Sequence, residues 1–261
     1  MTAIANIFAI FQKELQGYFA SPFAYIVAAI FWFLSGFFWI GILIETLQEV
    51  AFIEQQGIPG AIDVPYIFIL RYFGILGLLA LFIFPLLSMG LYVEERKRST
   101  LELLATSPLT NWSVAVGKLL AVTAFTLFTI APILLYEAIA FASADPPMPP
   151  AVPLSALLGI VLLATSILSL GMFISSLCDN TVLSGLLTFA LMLLLWIVDL
   201  VADRVASPFR EILTHLSLLK HYNNFVQGII DSSSIVLFAS YIFLGIFLTA
   251  QSIETFRFSR R

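Results

Sequence analysis

One cysteine and two histidines in 261 residues leave this chain little equipment for redox or metal chemistry. Cys178 alone excludes an intrachain disulfide framework and a thiolate metal cluster. His215 and His221 stand six apart, so they do not share one helix face as an i, i+4 ligand pair would. Charge is also scarce: 11% of residues are Asp, Glu, Lys or Arg, against about a quarter in soluble domains. The basic residues form no long run and the formal net charge is −4, so nucleic acid is not an expected partner. A phosphate-binding loop is missing too. It needs Gly-x4-Gly-Lys-Ser/Thr, whereas Gly117-Lys118 is followed by Leu119 and has Trp112 in the place of the first glycine. No nucleophile–base pair or paired carboxylates stand inside the apolar stretches, so an enzyme is not expected and the chain is expected to bind no cofactor itself. Lys13 and Glu14 interrupt the first apolar stretch, and no small-residue cleavage site follows a short apolar core. A signal peptide is therefore not expected.

What is abundant is apolar surface: 61% of residues are hydrophobic and the mean hydropathy is +1.03. One aqueous core cannot hide that surplus, so lipid must solvate much of it. Uncharged windows run over residues 15–44, 72–93, 119–136, 146–178, 180–198 and 232–253. Each supplies the roughly 20 residues that cross about 30 Å of hydrocarbon as a helix. None alternates as barrel strands do, and only helices or closed barrels satisfy the backbone in lipid. The expectation is an all-α polytopic membrane protein with six transmembrane helices, forming a single domain over residues 1–261.

Orientation follows from lysine and arginine. With the N-terminus inside, the cytoplasmic side carries Lys13, Arg96, Lys97, Arg98, Lys118, Arg257, Arg260 and Arg261; the outer side carries Arg71, Arg204, Arg210 and Lys220. The positive-inside rule then predicts both termini in the cytoplasm. Trp112 sits where an interfacial tryptophan can anchor the third span.

Outside the spans, residues 4, 7, 8, 11, 15 and 19 (Ile4, Ile7, Phe8, Phe11, Leu15, Phe19) predict an amphipathic helix in the cytoplasmic interface over residues 1–21, broken at Ser21-Pro22. The segment 45–65, with Glu45, Glu49, Glu54 and Asp63 and a turn at Gly57-Ile-Pro59-Gly60, reads as a solvated acidic loop. Asp145-Pro-Pro-Met-Pro-Pro150 reads as a stiff extended spacer. Residues 203–234 are too apolar for a free loop, with Phe209, Ile212, Leu213, Leu216, Leu219, Phe225 and Val226. They predict helical pieces that dip back into the outer interface.

The segment 94–108 is unlike the rest. Six formal charges fall between Glu94 and Glu102 in a chain that otherwise avoids them. Ser99-Thr-Leu-Glu102 fits a capping box, and Pro108 ends the element by disfavouring helical geometry at Ser107. A short charged helix joined to two spans suits a docking element that receives force from a cytoplasmic protein. Setting topology alone needs only its basic residues.

Glu94-Glu95-Arg96, Thr100-Leu-Glu-Leu-Leu and Thr106-Ser-Pro108 resemble the cytoplasmic loop of ABC type-2 exporter permeases. Gly171-Met-Phe-Ile-Ser-Ser-Leu-Cys-Asp-Asn180, Leu187-Thr-Phe and Leu193-Leu-Leu-Trp196 are similar to that family's fourth and fifth spans. Lys13-Glu14-Leu15, Tyr18-Phe-Ala-Ser-Pro22, Ser35-Gly36-Phe-Phe38, His221-Tyr-Asn-Asn-Phe225 and Gly228-Ile-Ile-Asp231 resemble its gliding-motility-type branch. The resemblance covers nearly the whole chain. It implies a bacterial plasma-membrane permease working as two copies, or with a related permease, beside ATP-binding subunits that hold ATP and magnesium. It places ATPase coupling on Glu94, Glu95, Arg96, Thr100, Glu102, Leu103, Leu104, Thr106 and Pro108.

Gly74, Gly77, Gly171 and Ser175 are expected to let helices approach closely. The expected activity is export of an amphiphilic or lipid-linked substrate. The alternative is a secondary transporter or channel driven by an ion gradient, which usually needs ionisable groups near the midplane. Glu137, Asp179 and Asp199 all read as lying toward span ends, with Glu137 the best remaining candidate.

Overall fold

The computed structural model describes residues 2–56, 63–97, 110–142, 150–202 and 209–258. They form α1 (Thr2–Ala20), α2 (Pro22–Gln55), α3 (Val64–Ser88), α4 (Val93–Lys97), α5 (Asn111–Ala142), α6 (Ala151–Leu177), α7 (Thr181–Ala202), α8 (Phe209–Leu216), α9 (Leu218–Val226) and α10 (Ser232–Phe258). No strand occurs among the described residues. Among the described residues, six helices are long and apolar enough to cross a membrane: Pro22–Ile53, Val64–Lys97, Asn111–Ile139, Ala151–Leu177, Thr181–Val198 and Ser232–Thr255. The protein is a polytopic, all-α membrane protein.

The first span begins at Pro22, at the predicted break, where the Ser21 hydroxyl accepts from the Ala24 amide at 3.4 Å. The element boundaries correct the sequence expectation at two places. Much of the expected loop 45–65 is helix: α2 runs through Glu45 and Glu49 to Gln55. At about 1.5 Å per residue its 34 residues reach well beyond the hydrocarbon thickness. Arg71 lies inside α3 and pairs with Glu49 at 2.7 Å, so the two charges stitch α2 to α3. The segments 57–62 and 143–149, which hold the predicted glycine turn and most of the proline run, lie outside the described residues.

The middle of the bundle is α6, which packs against α3, α5, α7, α9 and α10. Small side chains make this possible. A Cβ on Gly245 of α10 would fall 2.6 Å from the Ser169 carbonyl, so the two backbones nearly touch. Ser166 and Ser169 of α6 donate across the gap to the Phe238 and Tyr241 carbonyls at 3.4 and 3.3 Å, while also bonding within their own helix. In lipid, where apolar surface between helices gains little, such close approach and cross-helix bonds hold spans together.

The predicted helical pieces in the segment 203–234 are α8 and α9, residues 203–208 lying outside the described residues. Ser217 caps α9 by accepting from the Lys220 amide, and Gly228 ends it with φ of 82°. The Gly228 amide donates to Phe225 and the Ile229 amide to Asn224, which together close a Schellman end. Leu218, Leu219, Tyr222, Phe225 and Val226 are buried against α3 and α6. Tyr222 donates to the Phe73 carbonyl at 2.7 Å, and Ser155 donates to the Phe225 carbonyl at 2.7 Å.

The four predicted packing positions differ. Gly77 and Gly171 are tight: a Cβ would come within 2.4 Å of the Tyr222 ring and 2.0 Å of the Ser88 hydroxyl. A Cβ at Gly74 meets nothing within 4 Å, so within this chain Gly74 is not a packing position. Gly77→Ala is therefore expected to destabilise by about 1–3 kcal/mol through overpacking, and Gly74→Ala to be neutral or slightly stabilising. Thermal unfolding of the purified variants checks this; equal effects would contradict the assignment.

Candidate functional site

The turn that links α3 to α4 leaves backbone groups without helical partners, and other elements supply them. Ser175 of α6 donates to the Met89 carbonyl at 3.0 Å and accepts from the Tyr92 and Val93 amides at 3.1 and 3.4 Å. Its expected role was small size alone; in place it also grips this turn. Lys118 of α5 donates to the Leu91 carbonyl at 2.9 Å. Buried backbone groups must be paired, so the direction in which the chain leaves α3 is held by α5 and α6 together.

Lys118 does more. Only 1% exposed, it pairs with Glu14 of α1 at 3.0 Å and Glu95 of α4 at 2.9 Å, and its ammonium lies 5.1 Å from the Tyr92 ring centroid. Lys13, largely exposed, stands at the rim 3.5 Å from Glu14 and 3.8 Å from Glu95. The four charges therefore sum to zero. Burying an ion costs several kcal/mol, which close partners and further hydrogen bonds offset; here two carboxylates, a carbonyl and an aromatic face surround one ammonium. Lys118 was counted only as a topology-setting charge of the cytoplasmic side; the structure places it inside the protein.

Glu14 also changes how α1 sits. The predicted outward apolar set included Ile4, Phe8 and Phe19, and these remain exposed. The face turned to α5 instead carries Ile10, Glu14 and Tyr18. A Cβ on Gly117 would lie 2.9 Å from Ile10, and Tyr18 stacks on Phe125 with centroids 5.4 Å apart. Tyr18 donates to the Leu87 carbonyl at 2.7 Å. Burial, with Glu14 and Glu94 nearby, pushes its phenol well above the usual range, so it stays a donor.

On its other side α4 meets the link between α6 and α7. Arg96 pairs with Asp179, and Lys97 donates to the Thr181 hydroxyl at 2.9 Å. Burial and the Asp179 charge raise the neighbouring Cys178 thiol, partly countered by Arg96. Of the predicted coupling residues, Glu94, Glu95 and Arg96 are thus brought together on α4. Thr100, Glu102, Leu103, Leu104, Thr106 and Pro108, with the Ser99 capping box, lie outside the described residues. Between α1, α2 and α3, beside this ion cluster, opens a cleft of about 510 Å³ whose walls include Lys13, Glu14, Phe23, Leu86 and Thr181.

A model of the ABC-2 family transporter proteins matches residues 55–248. The chain belongs to the ABC-2 transporter family. It is therefore a multi-pass permease subunit of an ABC transporter, a class that associates with an ATP-binding subunit and typically has no ATPase site of its own. No curated protein matches the chain. Within this permease α4 forms the charged end of the second span, Val64–Lys97, ahead of the third span that begins at Asn111.

Elsewhere, His221 is buried in α9, with Nδ1 2.8 Å from the Ser234 hydroxyl. Burial lowers its pKa, assisted by His215 and opposed by Asp231. No group of three metal-ligating side chains occurs among the described residues.

The signal for the missed Lys118–Glu14 pair was present. Lys118 is the one cation between Arg98 and Glu137, and it stands beside an uncharged run that must be buried. Lys118→Met leaves the half-buried Glu14 and Glu95 carboxylates facing each other with only the exposed Lys13 at their rim and is expected to cost about 3 kcal/mol. Arg71→Gln breaks the partly exposed pair with Glu49 and is expected to cost about 0–1 kcal/mol. Unfolding midpoints of the two variants check the contrast; a negligible effect of Lys118→Met would contradict the buried cluster.

Proposed function

We propose that this permease is the membrane-spanning half of an ATP-driven exporter, in which α4 and the residues that follow it receive force from a separate ATP-binding subunit. The carrying observation is that α4 is fastened on three sides: to α1 and α5 through Glu95–Lys118–Glu14, to α6 through Ser175, and to the α6–α7 link through Arg96–Asp179. A displacement of α4 strains these ion pairs and hydrogen bonds, so it is passed to the helices that supply them.

In this reading the end of the bundle that carries α1 and α4 faces the cytoplasm of a bacterial cell, with both termini on that side of the plasma membrane. ATP and magnesium sit in the partner subunit. Thr100, Glu102, Leu103, Leu104, Thr106 and Pro108 continue the docking surface, and a second permease copy or a related permease completes the path. The likeness to the gliding-motility-type branch belongs to the same reading. An amphiphilic or lipid-linked cargo suits the cleft beside α1, whose walls combine ionic side chains with Phe23 and Leu86. Closure of the ATP-bound partner shifts the population between closed and outward-open permease, because that partner binds one state better than the other.

The test uses the permease co-purified with its ATP-binding subunit and reconstituted in lipid. Arg96→Glu is expected to lower the permease-stimulated ATPase rate by about tenfold, an energy on the order of 1.4 kcal/mol, with the complex still assembled. Asp179→Arg in the same chain is expected to restore much of it by reversing the pair. Full ATPase stimulation by the Arg96→Glu permease would sink the coupling role.

A further inference from the structure

The cleft of about 510 Å³ beside α1 lies where several spans end. Its walls include Pro22 and Thr181, the first residues of the first and fifth spans, and Leu87, one residue before α3 ends. Span ends mark the depth of the lipid headgroups.

The walls divide into apolar and ionic parts. Phe23 of α2 and Leu86 of α3 are apolar and exposed. Ile26 and Ile30 follow Phe23 on one face of α2, and Phe82 precedes Leu86 on one face of α3. These are exposed too, so apolar surface runs on from the cleft along both spans. The side formed by α1, α4 and α5 carries Glu14, Glu94 and Glu95 against Lys13 and Lys118. Lys118 is already enclosed by Glu14, Glu95 and the Leu91 carbonyl, whereas Lys13 is a largely exposed cation at the rim. Both ion pairs of Glu14 run through Oε1, which leaves Oε2 as an acceptor on the cleft wall.

Two hydroxyls and one glycine complete the cleft. The Ser21 oxygen accepts from the Ala24 amide at 3.4 Å and the Thr181 oxygen from Lys97 at 2.9 Å, so both hydroxyl hydrogens stay available to an acceptor in the cleft. Gly17 lies inside α1, where glycine is less favourable than alanine. A Cβ there would meet nothing within 4 Å, so the missing side chain makes room in the cleft and not for another helix.

We infer that this cleft binds one phospholipid whose headgroup carries a primary ammonium, as in phosphatidylethanolamine. The ammonium donates to Glu14 and Glu94, the phosphate accepts from Lys13 and the two hydroxyls, and the acyl chains leave along α2 and α3. A zwitterion suits walls of both signs, while an anionic headgroup meets three carboxylates with two ammonium groups. A quaternary ammonium has no hydrogen to donate, and Tyr18 and Phe23, the aromatic residues among the described walls, are too few to cage it. The inference deepens the reading of this cleft as a place for an amphiphile by naming the headgroup. It rests on the export reading only for the later fate of the lipid, because binding requires neither ATP nor the partner subunit.

The delipidated full chain in detergent micelles is titrated with phosphatidylethanolamine, phosphatidylcholine or phosphatidylglycerol of identical acyl chains, and bound lipid is counted by native mass spectrometry. One phosphatidylethanolamine is expected to bind about tenfold more tightly than either other lipid, through its charge-assisted hydrogen bonds. Glu94→Gln is expected to remove most of that preference. Gly17→Leu fills open space without touching the ion pairs, so its thermal midpoint is expected to hold while phosphatidylethanolamine binding weakens about tenfold or more. Soluble glycerophosphoethanolamine at the same concentration is expected not to displace the lipid, having no chains for the apolar walls. Phosphatidylcholine or phosphatidylglycerol binding as tightly as phosphatidylethanolamine would overturn the inference. So would an unchanged preference in Glu94→Gln, wild-type binding by Gly17→Leu, or displacement by the free headgroup. No nucleotide is present, so none of these failures bears on ATPase coupling.

Discussion

A single buried ammonium, that of Lys118, is the constraint around which the α1 end of this permease is arranged. An ion at that depth is tolerable only when surrounded by partners, and its partners come from two separate stretches of chain: Glu14, and Glu95 with the Leu91 carbonyl four residues before it. Their convergence fixes where α1 lies along α5 and how the chain turns from α3 into α4. Ser175 closes the same turn from the opposite side. The charged stretch that follows thus begins from a defined position.

The remainder of the bundle obeys a different economy. Between spans there is little hydrophobic gain, so close approach and cross-helix hydrogen bonds organise α6 against its neighbours. Glycine and serine on α6 and α10 permit it, as at Ser169 and Gly245, and tyrosine and phenylalanine of α9 fill the spaces left at Gly77 and Gly159. The two ends of the permease therefore differ in chemistry. One is held by compensated ions, and toward the other a carboxyl group, that of Glu137, is buried.

Much of this was legible in the sequence. Sparse charge located all six spans, because in a lipid-solvated chain ions mark where helices leave the hydrocarbon. That logic failed where an ion stays within a helix and finds a partner. Glu45 and Glu49 continue α2, and Arg71 continues α3, because the Glu49–Arg71 pair lowers the cost of extending both. Glu137 does lie toward the end of its span, as read, but neither its burial nor that of Lys118 was visible. Whether a lone charge faces solvent or a neighbour depends on residues about a hundred positions away, as with Lys118 and Glu14, and no local pattern encodes that distance. The charged segment after the second span was visible from composition; its fastening to α1, α6 and the α6–α7 link was not.

The central claim is that α1 and α4 move as one body because Lys118 joins them. Spin labels at Gln16 and Lys97, in a chain with Cys178→Ser, report that distance by pulsed electron resonance in the complex with its ATP-binding subunit. A second pair, Lys97 and Ile139, reports motion relative to the far end. On trapping the ATP-bound state, the account predicts an unchanged Gln16–Lys97 distance and a shifted Lys97–Ile139 distance. A Gln16–Lys97 distance that changes with nucleotide while Lys118 is intact would contradict it.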